Sequence, residues 1–379
     1  MIKVLYITNY TTLYGANKSL LGLMTLLRED NLIEPILLVT GAVGPLGTVC
    51  EYNNIKVLNC DFRNRTVYEE IPFKHLKKKT RNAMLIVDAL KVNKFLRINK
   101  VEFDIVHSNS SIIDVGYYLA KWNGKPHVWH IREFLKDDYQ EEIVYSRNKI
   151  AQMYLRTEKV IAISDSIREY IRSYDERIRC VRIYNGINIC SRYKKVYFQN
   201  DEVNICIVGV VKKSKNQFDV LKAVYKLIKE NYKIHLHIIG DCSGEYADML
   251  KCFVTQNKLE NVVSFYGYCD NVDEMLKRMD VGIMASEREA FGRVTVEYMA
   301  NYMSVIGTDT GANRELIDDL MIYPLHDVDR LAELLRLLID DEKLLNRTGL
   351  NNRIKSEFFD SVKNAKEIME IYLQLLEGC

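Results

Sequence analysis

Short apolar runs recur through both halves of this 379-residue chain, and longer stretches with helical spacing separate them. In the first half the runs are Lys3–Thr8, Pro35–Thr40, Ile55–Leu58, Ile105–His107, His127–His130, Val160–Ser164 and Arg179–Tyr184. In the second they are Val203–Gly209, Ile234–Gly240, Val262–Gly267, Gly282–Ala285, Val305–Gly307 and Met321–Tyr323. Continuous apolar strands separated by helices belong to a parallel sheet covered on both faces. Two such series predict an α/β protein of two Rossmann-like, doubly wound domains. The length agrees, because a chain of this size outgrows a single core. The expected first domain is 1–190 and the second 201–360, with the break in the polar, charged stretch Cys190–Asp201. Segment 361–379 carries an amphipathic helix from Ser361 to about Leu376. A doubly wound sheet places ligands at the carboxyl ends of its strands, so the residues just after each run are the ones to weigh.

The most informative of these is Ser286-Glu-Arg-Glu-Ala-Phe-Gly-Arg-Val-Thr-Val-Glu297. It follows the strand-like Asp280–Ala285 and opens the helix-like Thr295–Ala300. Glu289 and Glu297 thus bracket a strand-to-helix turn that contains Gly292. A helix N-terminus offers unpaired N–H groups and a positive dipole end, a ready site for a diphosphate. Gly292, without a Cβ, lets the backbone come close to such an anion. Read without a ligand, the same stretch is a strand, a loop and a helix with two solvent-facing acids.

The pattern Glu-x-Phe-Gly-x4-Glu resembles the signature of retaining family-4 glycosyltransferases, whose GT-B fold has two Rossmann-like domains facing a central cleft. The resemblance implies that Glu289 lies near the donor sugar and that Glu297 binds the ribose. It also implies that the backbone of Phe291, Gly292, Arg293 and Val294 holds the distal phosphate. Other segments carry it further. Gly15, in Tyr14-Gly-Ala-Asn17, lies where the family usually shows Gly-Gly-Ala-Glu, so Tyr14 and Asn17 are departures. His130 falls where the family places a histidine close to sugar and acceptor, and a neutral imidazole there bonds a hydroxyl without adding charge. His107, before Ser108-Asn-Ser110, is a weaker candidate for lining the cleft, and Arg132 and Glu133 either pair with each other or meet the acceptor. Gly209-Val-Val-Lys-Lys-Ser-Lys215 resembles Gly-Arg-x4-Lys, in which arginine and lysine neutralise the leaving diphosphate. Lys215 takes the lysine position, Val210 replaces the arginine, and Lys212 or Lys213 is left to supply the second charge. The base is expected near Tyr268, while Thr310–Glu315 and Asn185–Asn188 match turns of structural importance. In the family the last helix often returns to the first domain.

The function so implied is transfer of a sugar from a nucleotide diphosphate sugar, UDP-sugar favoured, to a saccharide or lipid-linked saccharide acceptor in cell-envelope or capsular polysaccharide synthesis. Front-face attack with the leaving phosphate as base is the implied mechanism, with Glu289, His130 and Lys215 around the reacting sugar. A covalent intermediate on Glu289 is the variant of it. Two other classes stay open, a sugar-nucleotide epimerase and a catalytically silent binding subunit. No metal cofactor is expected. Asp327-Val-Asp329 directly precedes a helix and reads as a cap, and His235 and His237 lack a third ligand at metal spacing. A net charge of +2 gives no footprint for nucleic acid. Nine scattered cysteines without a Cys-x-x-Cys pair read as reduced thiols, hence a cytoplasmic protein. The basic 74–100 segment is helical in pattern and is the surface expected to meet an anionic membrane, as a peripheral contact.

Overall fold

In the computed structural model, which describes residues 1–68, 74–134, 141–189, 193, 195–198, 202–269 and 271–378, the apolar runs form two separate parallel sheets. The chain divides into two units, 1–186 with 361–379, and 187–360. The division therefore comes at Gly186, four residues ahead of the expected break. The stretch Cys190–Asp201 lies largely outside the described residues. Its described part belongs to the second unit: the Tyr193 hydroxyl donates to the Asn301 carbonyl at 3.1 Å, and Lys195 Nζ donates to the carbonyls of Lys277 and Met279.

The first unit holds strands β1 (Ile2–Thr8), β2 (Ile33–Val39), β3 (Lys56–Asn59), β5 (Ile105–Ser108), β6 (His127–Ile131), β8 (Lys159–Ala162) and β9 (Cys180–Arg182) in the order β3-β2-β1-β5-β6-β8-β9. Alternation along β1 explains the continuous apolar run. Val4 and Tyr6 enter one core, and Leu5 and Ile7 enter the other, so both faces are buried. Helix Gly15–Glu29 covers the first face with Leu20, Leu23, Met24 and Leu27, the i, i+3, i+4, i+7 stripe of an amphipathic helix. Beside it lies helix Ser361–Glu377, whose Ile368, Met369 and Tyr372 enter the same core. The last helix is thus part of the first unit. Helices Lys74–Ile98 and Val115–Asn123 cover the opposite face. A short antiparallel ribbon, β4 (Thr66–Tyr68) with β7 (Glu141–Ile143), has no counterpart in the sequence reading, since three-residue strands carry no period.

The second unit holds β10 (Val203–Val208), β11 (Ile234–Ile239), β12 (Val263–Phe265), β13 (Val281–Met284), β14 (Ser304–Thr308) and β15 (Ile322–Tyr323), all parallel, in the order β12-β11-β10-β13-β14-β15. After β10 the chain steps outward to β11 and β12, then returns to the other side of β10 as β13. The carboxyl ends of β10 and β13 therefore flank the topological switch point, where open α/β sheets form their ligand crevice. No helix of the described residues is long and apolar enough to cross a membrane.

Candidate active site

Two loops meet at the switch point of the second unit. The loop after β10 ends in a single turn, Lys213–Lys215, and Asn216 takes a left-handed conformation (φ 52°) before helix Gln217–Lys229. The loop after β13 carries Ser286, Glu287, Arg288 and Glu289. Four contacts stitch them together. Asn216 Nδ2 donates to the Ala285 carbonyl at 3.0 Å, the Glu287 amide donates to the Ser214 carbonyl at 2.9 Å, and Lys215 Nζ reaches both Ser286 Oγ (3.1 Å) and Glu289 Oε2 (2.9 Å). The Lys215–Glu289 pair is half-buried, so it is less screened than a surface pair. It presents one positive and one negative group, both partly open to an incoming molecule.

Backbone geometry fixes where Glu289 stands. Gly311 (φ 54°) lies against it so closely that a Cβ there would sit 2.1 Å from the Glu289 carbonyl oxygen, and the neighbouring Ala312 amide donates to that oxygen at 2.8 Å. Thr308 and Thr310 hydroxyls both donate to the Ser286 carbonyl, at 2.8 and 2.9 Å. Phe291, 2% exposed, anchors the loop edge-on against Phe359. Gly292 (φ 83°) then starts helix Arg293–Ala300 without any side-chain cap, which leaves the first-turn N–H groups to other partners. Arg293 and Glu297 lie one turn apart on this helix, 3.6 Å between Nη2 and Oε1. Burial opposes the Arg293 charge and Glu297 supports it.

Of the residues expected from the sequence, Lys215, Glu289, Gly292, Arg293 and Glu297 lie on these two loops and the helix that follows. Val294 is half-buried in the first turn. Tyr268 stands on the loop after β12, 65% exposed, in the run whose Asp270 lies outside the described residues. Val210 is exposed at the arginine position, as are Lys212 and Lys213. Ser286, Asn216 and the Thr308–Thr310 pair were not singled out. Ser286 had a signal, since it follows the strand directly and precedes Glu289 by three residues. The others act through backbone carbonyls and leave no spacing to read.

His130 and Gly15 belong to the first unit. Gly15 opens helix Gly15–Glu29 and is exposed, and the departure Asn17 is buried, holding the loop by donating to the Tyr10 and Thr12 carbonyls at 2.9 Å each. His130 is fully buried, and among the described residues its Nε2 has no hydrogen-bond partner. Its Nδ1 lies 3.3 Å from Arg132 Nη2 and 3.2 Å from His107 Nε2. His107, the weaker candidate, is fully buried, its Nδ1 2.6 Å from the Tyr372 hydroxyl on the last helix. Burial first, then the Arg132 charge, holds both imidazoles well below the usual histidine range. Arg132 donates to Asn109 at 2.6 Å and to Asn185, while Glu133 accepts from Ser110 Oγ and the Ser111 amide at 2.6 Å each.

The metal alternatives find other partners. Asp327 caps helix Val328–Asp340 through the Arg330 amide, and Asp329 pairs with Lys226. His235 bonds Ser264, and His237 bonds Tyr266 and Asn204. Among the described residues, no three His, Cys, Asp or Glu side chains group as an ion site.

Comparison with known proteins places the chain in a family. Residues 192–355 match the family model "Glycosyl transferases group 1", and residues 53–190 match "Glycosyltransferase Family 4". The capsular polysaccharide biosynthesis glycosyltransferase CapM of Staphylococcus aureus is 29% identical over 238 residues, 57% of this chain and 60% of the relative. The N-acetylgalactosamine-N,N'-diacetylbacillosaminyl-diphospho-undecaprenol 4-alpha-N-acetylgalactosaminyltransferase of Campylobacter jejuni is 28% identical over 203 residues, 52% of this chain and 54% of the relative. The chain spans about half the length of the curated relatives it matches. The crystal structure of Anabaena Alr3699/HepE in complex with UDP-glucose superposes with a TM-score of 0.77 at 20% identity, covering 99% of this chain and 100% of that one. Two Rossmann-like parallel sheets and a family match in each half lead to one assignment: the chain belongs to the family-4 glycosyltransferases.

Proposed function

We propose that the protein transfers a sugar, with retention of configuration, from a nucleotide diphosphate sugar to a saccharide or lipid-linked saccharide acceptor. The observation that carries this reading is the Lys215–Glu289 pair at the switch point, ahead of the uncapped helix Arg293–Ala300. In this scheme the distal phosphate sits on the first-turn N–H groups from Gly292 to Val294, and Lys215 turns from Glu289 to the phosphate. As the bond from the sugar C1 to the phosphate oxygen breaks, charge grows on the diphosphate, and a preorganised cation and helix dipole stabilise it. The acceptor oxygen bonds C1 on the same face, and its proton passes to the departing phosphate oxygen. Glu289 orients the sugar, Glu297 takes the ribose diol, Tyr268 stacks on the base, and His130 bonds a sugar hydroxyl. No step calls for a metal.

A UDP-sugar is the favoured donor, and envelope or capsular polysaccharide the favoured product, on the cytoplasmic side. The relatives named for capsule synthesis and for a diphospho-undecaprenol acceptor support this choice. Helix Lys74–Ile98 fits such an acceptor, because it exposes Met84, Val87 and Leu90 near Arg81, Lys91 and Lys94, an apolar and basic surface suited to an anionic leaflet.

The test is a thermal-shift titration with chelator present, against UDP, GDP, ADP and CMP and their sugar conjugates. Ligand at 100 times its Kd adds about 2.7 kcal/mol, a shift of several degrees. A selective shift by UDP and one UDP-sugar is expected, followed by transfer in the presence of chelator. Binding without transfer to any acceptor would favour the silent subunit, for which the exposed Val210 speaks. Isomerised donor without acceptor would favour the epimerase.

A further inference from the structure

The polar cluster of the first unit fixes the position of a hydrogen. An arginine N–H only donates, so His130 Nδ1, facing Arg132 Nη2 at 3.3 Å, is an acceptor. His107 Nε2 lies 3.2 Å from that same Nδ1 and must therefore carry its hydrogen, which leaves His107 Nδ1 to accept from the Tyr372 hydroxyl at 2.6 Å, the closer of the two acceptors within reach of that one hydrogen, the Tyr6 hydroxyl lying at 3.1 Å. The guanidinium plane is itself held, through Nε on Asn109 and Nη1 on Asn185. One hydrogen remains for the neutral His130 ring, and it sits on Nε2, the buried atom without a partner among the described residues. We propose that Arg132, His107 and Tyr372 act as positioning residues that hold His130 as its Nε2–H tautomer, making it an obligate hydrogen-bond donor to an oxygen of the bound sugar or acceptor. A ring in this state has no free lone pair toward substrate, so it does not serve as the base for the acceptor hydroxyl. Tyr372, on the last helix, thereby tunes a group 242 residues away in sequence. The inference about the target oxygen rests on the glycosyltransfer reading; the tautomer itself does not.

The experiment uses the full chain labelled with 15N-histidine and a long-range proton–nitrogen correlation spectrum, His130 being assigned by its loss in His130→Gln. The expected wild-type pattern is a protonated Nε2 and a bare Nδ1. Tyr372→Phe frees His107 to exchange tautomers, so His130 should show a mixture, with kcat lowered about tenfold and donor KM within about twofold. His107→Gln, an amide able to accept from Tyr372 and donate to His130, should keep the pattern and most of the turnover. His107→Phe is the disruptive alternative where Tyr372→Phe does not fold. A proton on Nδ1 in the wild type, or an unchanged tautomer and kcat in the disruptive variants, overturns the proposal. A wild type that turns over no nucleotide sugar overturns the transfer reading instead, and the spectrum still decides the tautomer.

Discussion

Lys215 and Glu289 balance each other in this protein, and they should fail differently when removed. Lys215→Met leaves a half-buried carboxylate without its cation and deprives the leaving diphosphate of a preorganised charge. Loss of one such stabilising group costs roughly 100- to 1,000-fold in kcat. Glu289→Gln keeps the shape and a hydrogen-bonding oxygen for Lys215, so the fold and UDP binding should persist while transfer falls. Steady-state kinetics beside UDP thermal shifts check both variants. Unchanged turnover in Glu289→Gln would sink the assignment of this residue. Most of the site's side chains were legible in the sequence because they follow strands directly. Their partners were not: Asn216 and Gly311 meet Glu289's loop through contacts whose spacing in sequence is irregular. His107, the weaker candidate of the two histidines, is fully buried with its Nδ1 against the Tyr372 hydroxyl, a contact 265 residues apart in sequence that no local pattern shows.

Elements place these residues by close backbone approach, and Gly311 is the tightest case. Gly311→Ala asks an L side chain to adopt φ 54° and to sit 2.1 Å from the Glu289 carbonyl oxygen. The left-handed conformation alone costs about 1–2 kcal/mol, and the clash must shift the Glu289 loop. Tm should fall by several degrees, and kcat should fall more than that stability loss explains; a variant with normal kcat would show that the loop accommodates the Cβ. The last helix makes a second prediction. Ile368 is fully buried with Tyr372 and Met369 in the first unit's core. Ile368→Ala should destabilise by about 2–5 kcal/mol, read from the urea midpoint. Strand positions were legible to within one or two residues, because continuous apolar runs report burial on both faces. The ribbon of β4 and β7 was not, being three residues on each side.

At the scale of the whole molecule, acid sensitivity should be uneven. His107, His127 and His130 are buried in the first unit with proton affinities below normal, His127 at about 3, through burial foremost. A histidine with a depressed folded pKa binds fewer protons than in the unfolded chain, so stability is lost as pH falls below about 6.5. Asp114, raised to about 6 by burial, acts in the opposite sense, since the folded state holds its proton between about 4 and 6. Glu367, raised by burial, acts in the same sense as Asp114, and three histidines against two carboxylates leave net destabilisation. His237, at about 4, is the corresponding lowered histidine resolved in the second unit. Tm should therefore decline from pH 7 to 5, and hydrogen exchange should show the first unit opening ahead of the second. Equal protection in both units at pH 5 would contradict this.

The sequence by itself determined the two parallel sheets, the helices over them and the strand-end motifs that carry the family. Burial on both faces and the helical period are local properties, written in consecutive residues. Tertiary structure decided what depends on distant segments meeting. It drew the division at Gly186, joined the last helix to the first core, and brought Gly311 against Glu289 and Tyr372 against His107. Close packing selects such pairs by shape and hydrogen-bond geometry, and neither is encoded by spacing along the chain.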